Sequence, residues 1–198
     1  MNLARPGPLH LDMTTTKQPW KKLCSKTVYD NPWIRVEEHQ VINPSGAESL
    51  YGKVCFKNRA VAILALDQAH NLYLVGQHRY TLDEYAWELP MGGAPDGEDV
   101  LAGAQRELKE ETGISASSWD IVMRLHTSNC ITDELGLVYL AQDLSHGEPQ
   151  LEPTEDLTIH KLPLEDALGW VLEGRITDAI SAAGILRLWV ERERLLDH

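Results

Sequence analysis

Polar and apolar positions along the 198-residue chain change period several times. From Lys21 to Lys57 they alternate as in half-buried strands, with a turn at Asn43, Pro44, Ser45 and Gly46, which predicts an antiparallel ribbon or small sheet. Ala60–Asp67 and Leu72–Arg79 are denser apolar runs joined by the polar stretch 68–71, the pattern of a hairpin in a central sheet. A loop carrying Trp87, Glu88, Leu89, Pro90, Met91, Gly92 and Gly93 follows. Helical spacing then runs from Asp99 to Thr112, where Gly113 is placed to cap it. Strands are predicted over Asp120–His126, Leu135–Gln142 and Leu157–Leu162, with a polar loop at Ser145–Thr154. Helices are predicted over Leu164–Leu172 and Thr177–Leu195, parted by Gly174. There is no internal repeat. Mixed strands with one central and two terminal helices make this an α+β chain.

The apolar fraction of 43% and charged fraction of 24% are those of a folded domain, and a chain of this length buries a core without metal or disulfide staples. The net charge of −12 excludes a protein built to release counterions from a nucleic-acid backbone, so no nucleic-acid partner is expected. No apolar run is long enough to imply a membrane partner. Cys24, Cys55 and Cys130 are odd in number and widely spaced, which fits a reducing compartment rather than a disulfide framework or zinc site. Residues 1–20 lack the continuous apolar stretch of a secretory signal and read as a loose tail of a cytoplasmic protein. The remaining division is an N-terminal strand region, 21–58, and a main domain, 59–198.

The helix over 99–112 carries the chemistry. Glu107 and Glu111 are one turn apart and Glu110 is three residues from Glu107, so the carboxylates crowd one side. On a solvated face this costs about 0.2–0.5 kcal/mol per pair. In a cleft of effective dielectric ~20, charges ~6 Å apart repel by about 3 kcal/mol, enough to require cations or protons. Location decides between the two.

The surrounding pattern favours the cleft. Gly92, five residues, Glu98, seven residues, then Arg106-Glu107-Leu108-Lys109-Glu110-Glu111-Thr112-Gly113-Ile114 matches at every defined position the Nudix box, G-x5-E-x7-R-E-U-x-E-E-x-G-U with U aliphatic. A chance match in such a chain is on the order of 1 in 10 million at average residue usage. Gly92 and Gly93 allow close backbone approach, and Arg106 is placed to orient the carboxylates through charge-assisted hydrogen bonds. Glu98 lies near the helix start, where a structural role is as good a reading as a ligand role. Hard carboxylate oxygens suit Mg²⁺ or Mn²⁺. Leu101, Ala104 and Leu108 mark the core face.

The chain is thus similar to the Nudix hydrolases, and the resemblance implies an α/β/α sandwich with a mixed central sheet, a divalent metal, and hydrolysis of a nucleoside diphosphate linked to another group. It further implies Glu107 and Glu111 as the firmest metal ligands, then Glu110, with the main-chain oxygen of Met91 completing the set. Beyond the box, Gly76-Gln77-His78-Arg79-Tyr80, Trp87-Glu88-Leu89-Pro90, Glu155-Asp156-Leu157-Thr158-Ile159-His160 and the stretch from Trp170 to Leu186 resemble the ADP-ribose and sugar-nucleotide pyrophosphatase branch. That branch implies substrate contacts at Arg79, Glu88, Glu134 and the box glycine Gly92. It implies a catalytic loop acid at Glu155, with Glu152 as rival and Glu110 and Arg106 acting beside the metal. Its members are commonly homodimers whose N-terminal strands supply an aromatic ring to the base, for which Trp33, Tyr29 and Tyr51 are candidates. One departure stands out: where many such enzymes have Ser-Pro-Gly, this chain has Ser128-Asn129-Cys130, a change expected to cost the loop rigidity and to bear on ADP-ribose as substrate. A non-catalytic nucleotide or ADP-ribose sensor, and a hydrolase of dinucleoside polyphosphates or coenzyme A, are the alternatives.

Overall fold

A computed structural model describes residues 19–150 and 156–196. The first three strands, β1 (Lys21–Asp30), β2 (Ile34–Ile42) and β3 (Glu48–Phe56), form the expected antiparallel sheet in the order β1-β2-β3. Its turn is held by Asn43, whose Oδ1 accepts from the N–H groups of Ser45 and Ala47 at 3.0 Å each. Every residue of β1 is exposed, including Leu23, Val28 and Tyr29.

The core is built on β4 (Asn58–Ala65), which sits inside a four-stranded sheet of order β7-β4-β9-β8, with β7 at Met91–Pro95, β8 at Ile114–His126 and β9 at Leu135–His146. The β4–β9 pair is parallel and the others antiparallel, so the sheet is mixed. Strand period 2 divides its side chains. Val61, Ile63 and Ala65 of β4, with Leu137, Tyr139 and Ala141 of β9, pack with Ala104 and Leu108 of α1 (Val100–Thr112). Ala62, Leu64, Val138 and Leu140 face the other way, onto α2 (Leu164–Leu172) and α3 (Ala179–Val190). This second face also takes β5 (Asn71–Arg79), whose small sheet has the order β10-β5-β6, with β6 at Glu84–Glu88 and β10 at Thr158–Pro163. The result is the expected α/β/α sandwich carrying an N-terminal strand extension.

The hairpin expected from Ala60–Asp67 and Leu72–Arg79 does not form. The two runs meet at a single bridge, Leu66 to Leu72, and then part into different sheets. Both edges of β4 are occupied by β7 and β9, and both its faces are buried, so β5 packs across it instead of beside it. The connection is an Asp67 turn, in which Oδ1 accepts from Ala69 N–H at 2.9 Å and Asn71 N–H at 2.8 Å. The presumed loop around Trp87–Gly93 is largely the two strands β6 and β7, broken at Leu89 and Pro90. The last helical run divides at Glu191 into α3 and a short α4 (Arg192–Leu196).

Candidate active site

Helix α1 starts where Asp99 accepts from the N–H of Ala102 at 2.9 Å and ends where Gly113, at φ 71°, returns its N–H to the Lys109 carbonyl. A side chain at Gly113 would strike the Gly147 carbonyl, 2.3 Å from the position of a Cβ, so both space and backbone require glycine there. With its core face seated on β4 and β9, the helix turns Glu107 and Glu111 toward β7. Gly92 makes this approach possible: a Cβ on it would lie 2.1 Å from the Glu107 carboxyl carbon. The Met91 N–H donates to Glu111 Oε2 at 2.9 Å and the Gly93 N–H to Glu107 Oε1 at 3.1 Å.

Arg106 ties the box together. Its Nη1 donates to Glu107 Oε1 at 2.9 Å and Glu110 Oε2 at 3.0 Å, its Nη2 to the Gly93 carbonyl at 3.0 Å, and Nε and Nη2 reach the Glu98 oxygens at 3.3 Å. These bonds, that to Glu98 foremost, raise the guanidinium pKa and keep it cationic. Burial pushes the Glu107 carboxyl above its ordinary value, and the neighbouring Arg106 only partly opposes it. Glu111 is 3% exposed. The carboxylates therefore lie in a hollow, not on an open helix face, which answers the question the sequence left open.

That hollow is a cleft of about 800 Å³, lined by Met91, Gly92, Gly93, Glu98, Arg106, Glu107 and Glu111 on one side. Arg79 and Gln77 of β5 line it as well, together with Pro32, Trp33 and Lys57 from the N-terminal strand region and Asn58, whose amide lies against Gly93. Arg79 is oriented from behind by Glu88, which is 4% exposed and accepts from Arg79 Nε at 2.9 and 3.1 Å and from Nη2. This pairing raises the Arg79 pKa. Of the aromatic candidates Trp33 lines the cleft, 67% exposed, while Tyr51 donates its hydroxyl to the Cys130 carbonyl at 2.6 Å and Tyr29 accepts from Asn31 Nδ2 at 3.3 Å.

Other expected site residues are placed differently. Glu110 lines an adjoining hollow of about 500 Å³ on the far side of Arg106, with Gln105, Lys109 and Gln150. Glu134 accepts from the Thr127 hydroxyl and, like Glu88, does not line the main cleft. Glu155 and Glu152 lie outside the described residues. Gln77 lies in the segment 76–80 before the box but carries no site role there; Lys57, tied by its N–H to the Trp33 carbonyl, and Asn58, brought by the pairing of β4 with β7, are announced by no local motif.

The segment 128–134 is stitched to β3. The Val54 N–H donates to the Ile131 carbonyl at 2.9 Å, the Asp133 N–H to the Val54 carbonyl at 3.2 Å, and the Phe56 N–H to Asp133 Oδ1 at 2.9 Å. Lys53 Nζ adds an ion pair to Asp133 Oδ2 at 2.6 Å. Side-chain and sheet hydrogen bonds thus hold a loop that lacks the Ser-Pro-Gly run.

The donor set suits a hard divalent cation. No group of three or more His, Cys, Asp or Glu side chains is gathered for a metal among the described residues. Two clustered carboxylates, Glu107 and Glu111, nevertheless match the way Mg²⁺ binds, through one or two carboxylates supplemented by water and substrate phosphates.

Comparisons with known proteins agree with this geometry. The NUDIX domain model matches residues 56–181, and the nucleoside diphosphate sugar hydrolase N-terminal domain model matches residues 20–54. The chain is 35% identical to the ADP-ribose pyrophosphatase of Mycobacterium tuberculosis (strain ATCC 25618 / H37Rv) over 170 residues, covering 84% of this chain and 82% of that protein. It is 36% identical over 167 residues to the ADP-ribose pyrophosphatase of Bacillus subtilis (strain 168), covering 83% and 90%. The crystal structure of an ADP compounds hydrolase superposes with a TM-score of 0.79 over 91% of this chain and 99% of that one, at 22% identity, a likeness of fold. With the box complete and its carboxylates gathered in a cleft, the chain belongs to the Nudix family.

Proposed function

We propose that this protein hydrolyses the pyrophosphate bond of a nucleoside diphosphate linked to a sugar, ADP-ribose or another nucleotide sugar, releasing a nucleoside monophosphate and a sugar phosphate. The observation that carries this reading is the pair Glu107 and Glu111, held by the backbone of β7 in a cleft that also presents Arg79. The names of the relatives and the N-terminal domain match support the substrate class.

Glu107, Glu111 and the Met91 carbonyl would hold Mg²⁺, or Mn²⁺, with Glu110 one step removed behind Arg106. When bound, such a cation offsets charge on the phosphoryl oxygens and lowers the pKa of the attacking water. The chain supplies the rest. Arg106 fixes Glu107 and Glu98, and its hold on the Gly93 carbonyl keeps the strand against the helix. Arg79, positioned by Glu88, presents a permanent positive charge to the diphosphate. Trp33 offers a ring face to the base. Glu155, or its rival Glu152, is the loop carboxylate that takes the water's proton as general base or sits beside the metal. Gly92 completes the phosphate end, and Glu110, in the adjoining hollow, acts through its hydrogen bond from Arg106. The exposed strand β1, with Leu23, Val28 and Tyr29, supports a homodimer through the N-terminal sheet. Sedimentation should give a single species of twice the chain mass; a monomer at micromolar concentration removes that part. The cytoplasm remains the proposed compartment; among the described residues no helix is long and apolar enough to cross a membrane.

The test is a panel of nucleotide sugars, dinucleoside polyphosphates and coenzyme A, assayed with Mg²⁺, Mn²⁺ or EDTA and with products identified in ¹⁸O-labelled water. Cation-dependent release of a nucleoside monophosphate from a nucleotide sugar is expected. Binding without cleavage would make the protein a sensor, and preference for the other substrates would reassign it.

A further inference from the structure

Asn58 is a cleft-lining side chain that the box does not use. It is the first residue of β4, and among the described residues its carboxamide makes no hydrogen bond to protein. Its place is nevertheless tightly defined. A Cβ built on Gly93 would come within 2.1 Å of Asn58 Nδ2, so the amide rests directly on that glycine. The neighbouring Gly92 admits the Glu107 carboxylate at the same close range. Successive residues of a strand face opposite ways. The Gly92-Gly93 pair is therefore gripped from one side by a carboxylate of α1 and from the other by a carboxamide of β4. The peptide beneath Asn58 does not drift, because Gly93 donates to Glu107 and accepts from Arg106.

The cleft's cations are largely committed to protein partners. Lys57 Nζ donates to Asp30 and to the Asn31 carbonyl, Arg79 to Glu88, and Arg106 to Glu98, Glu107, Glu110 and Gly93. A diphosphate lodged against the box still presents non-bridging oxygens that require donors. A carboxylate at position 58 would repel them, adding to Glu98, Glu107 and Glu111. A carboxamide of the same shape donates to them without changing the charge of the site.

We propose that Asn58 is a substrate-binding residue whose side-chain N–H donates to a non-bridging phosphoryl oxygen of the diphosphate at the Gly93 end of the cleft. The assignment rests on the pyrophosphohydrolase reading and adds to it a residue outside the box.

The experiment compares wild type, Asn58→Ala, Asn58→Asp and Asn58→Ser by kcat/KM for the best nucleotide sugar with Mg²⁺, by calorimetric binding of ADP-ribose in EDTA, and by melting temperature. Asn58→Ala should lower kcat/KM about 10- to 100-fold, the effect of losing a hydrogen bond to a charged group. Asn58→Asp should fall below Asn58→Ala, since it keeps the shape and reverses the interaction. Asn58→Ser should lie between wild type and Ala, and metal-free affinity should follow the same order at unchanged melting temperature. If Asn58→Asp matches wild type, the amide only fills space over Gly93 and the proposal falls. It falls equally if Ala and Ser retain wild-type kcat/KM and affinity. Should Asp or Ala fail to fold, the folded Ser variant decides. A wild type that binds but does not cleave would defeat the hydrolase reading alone, leaving the EDTA binding series to judge Asn58.

Discussion

The two walls of the cleft are held in different ways. On the α1–β7 wall each acidic side chain that lines the cleft has a fixed partner: Glu111 the Met91 N–H, Glu107 the Gly93 N–H and Arg106, Glu98 the same arginine. On the wall from the N-terminal sheet, Trp33 is fixed, among the described residues, through its backbone. Its N–H donates to Asn31 Oδ1 at 2.9 Å and its carbonyl accepts from the Lys57 N–H at 3.0 Å, while the indole is two-thirds exposed. Electrostatic stabilisation of a transition state demands groups that need no reorganisation, and the first wall meets that demand. Recognition of a flat ring demands a face and little else. The contrast assigns chemistry to one wall and substrate affinity to the other, and substitutions can separate the two.

The largest effect is expected at Glu111. Glu111→Gln keeps an oxygen able to accept the Met91 N–H, so the fold should persist, while the negative charge offered to a cation is lost. Turnover with Mg²⁺ should drop by about 10³-fold, the upper range for removing one electrostatic stabiliser. Steady-state kinetics beside circular dichroism checks it; near wild-type kcat in a folded variant would detach the chemistry from this wall. Trp33→Ala comes next. Loss of a stacking face should raise KM about 10-fold with kcat within twofold, since the ring contacts ground and transition states alike. A fall in kcat at constant KM would erase the distinction between the walls.

How far each wall was legible in the sequence follows from the same difference. The box wall is local: Gly92 to Ile114 is one strand, one turn and one helix, and helical spacing plus a fixed motif specifies which side chains share a face. The rest of the cleft is assembled by pairing between distant segments. Antiparallel register sets Ala60 against Gly93 and so brings Asn58 to the cleft, a relation that no alternation of polar and apolar residues encodes. The failed hairpin has the same cause. Ala60–Asp67 is apolar on both faces, which marks a buried strand but does not name its neighbours. The 128–134 loop shows the converse. Absence of Pro and Gly predicts looseness from local chemistry, whereas Asp133 secures the segment through β3, dozens of residues away in sequence.

The smallest predicted effect tests what the ordered wall costs the fold. Burial raises the Glu107 pKa in the folded state, so its ionised form is better tolerated in the unfolded chain. Below the ordinary value of 4.5 both states are protonated and the group is neutral toward stability. As pH rises through that value and then through the higher folded one, the unfolded state releases its proton first, and the native state loses stability across the interval. Glu107→Gln removes the titration while retaining an oxygen for the Gly93 N–H. Its melting temperature relative to wild type should therefore improve from pH 4 to pH 8, even as activity disappears. A relative melting temperature that stays flat or declines over that range would mean that Arg106 fully compensates the buried charge, and that the catalytic wall is held at no expense in stability.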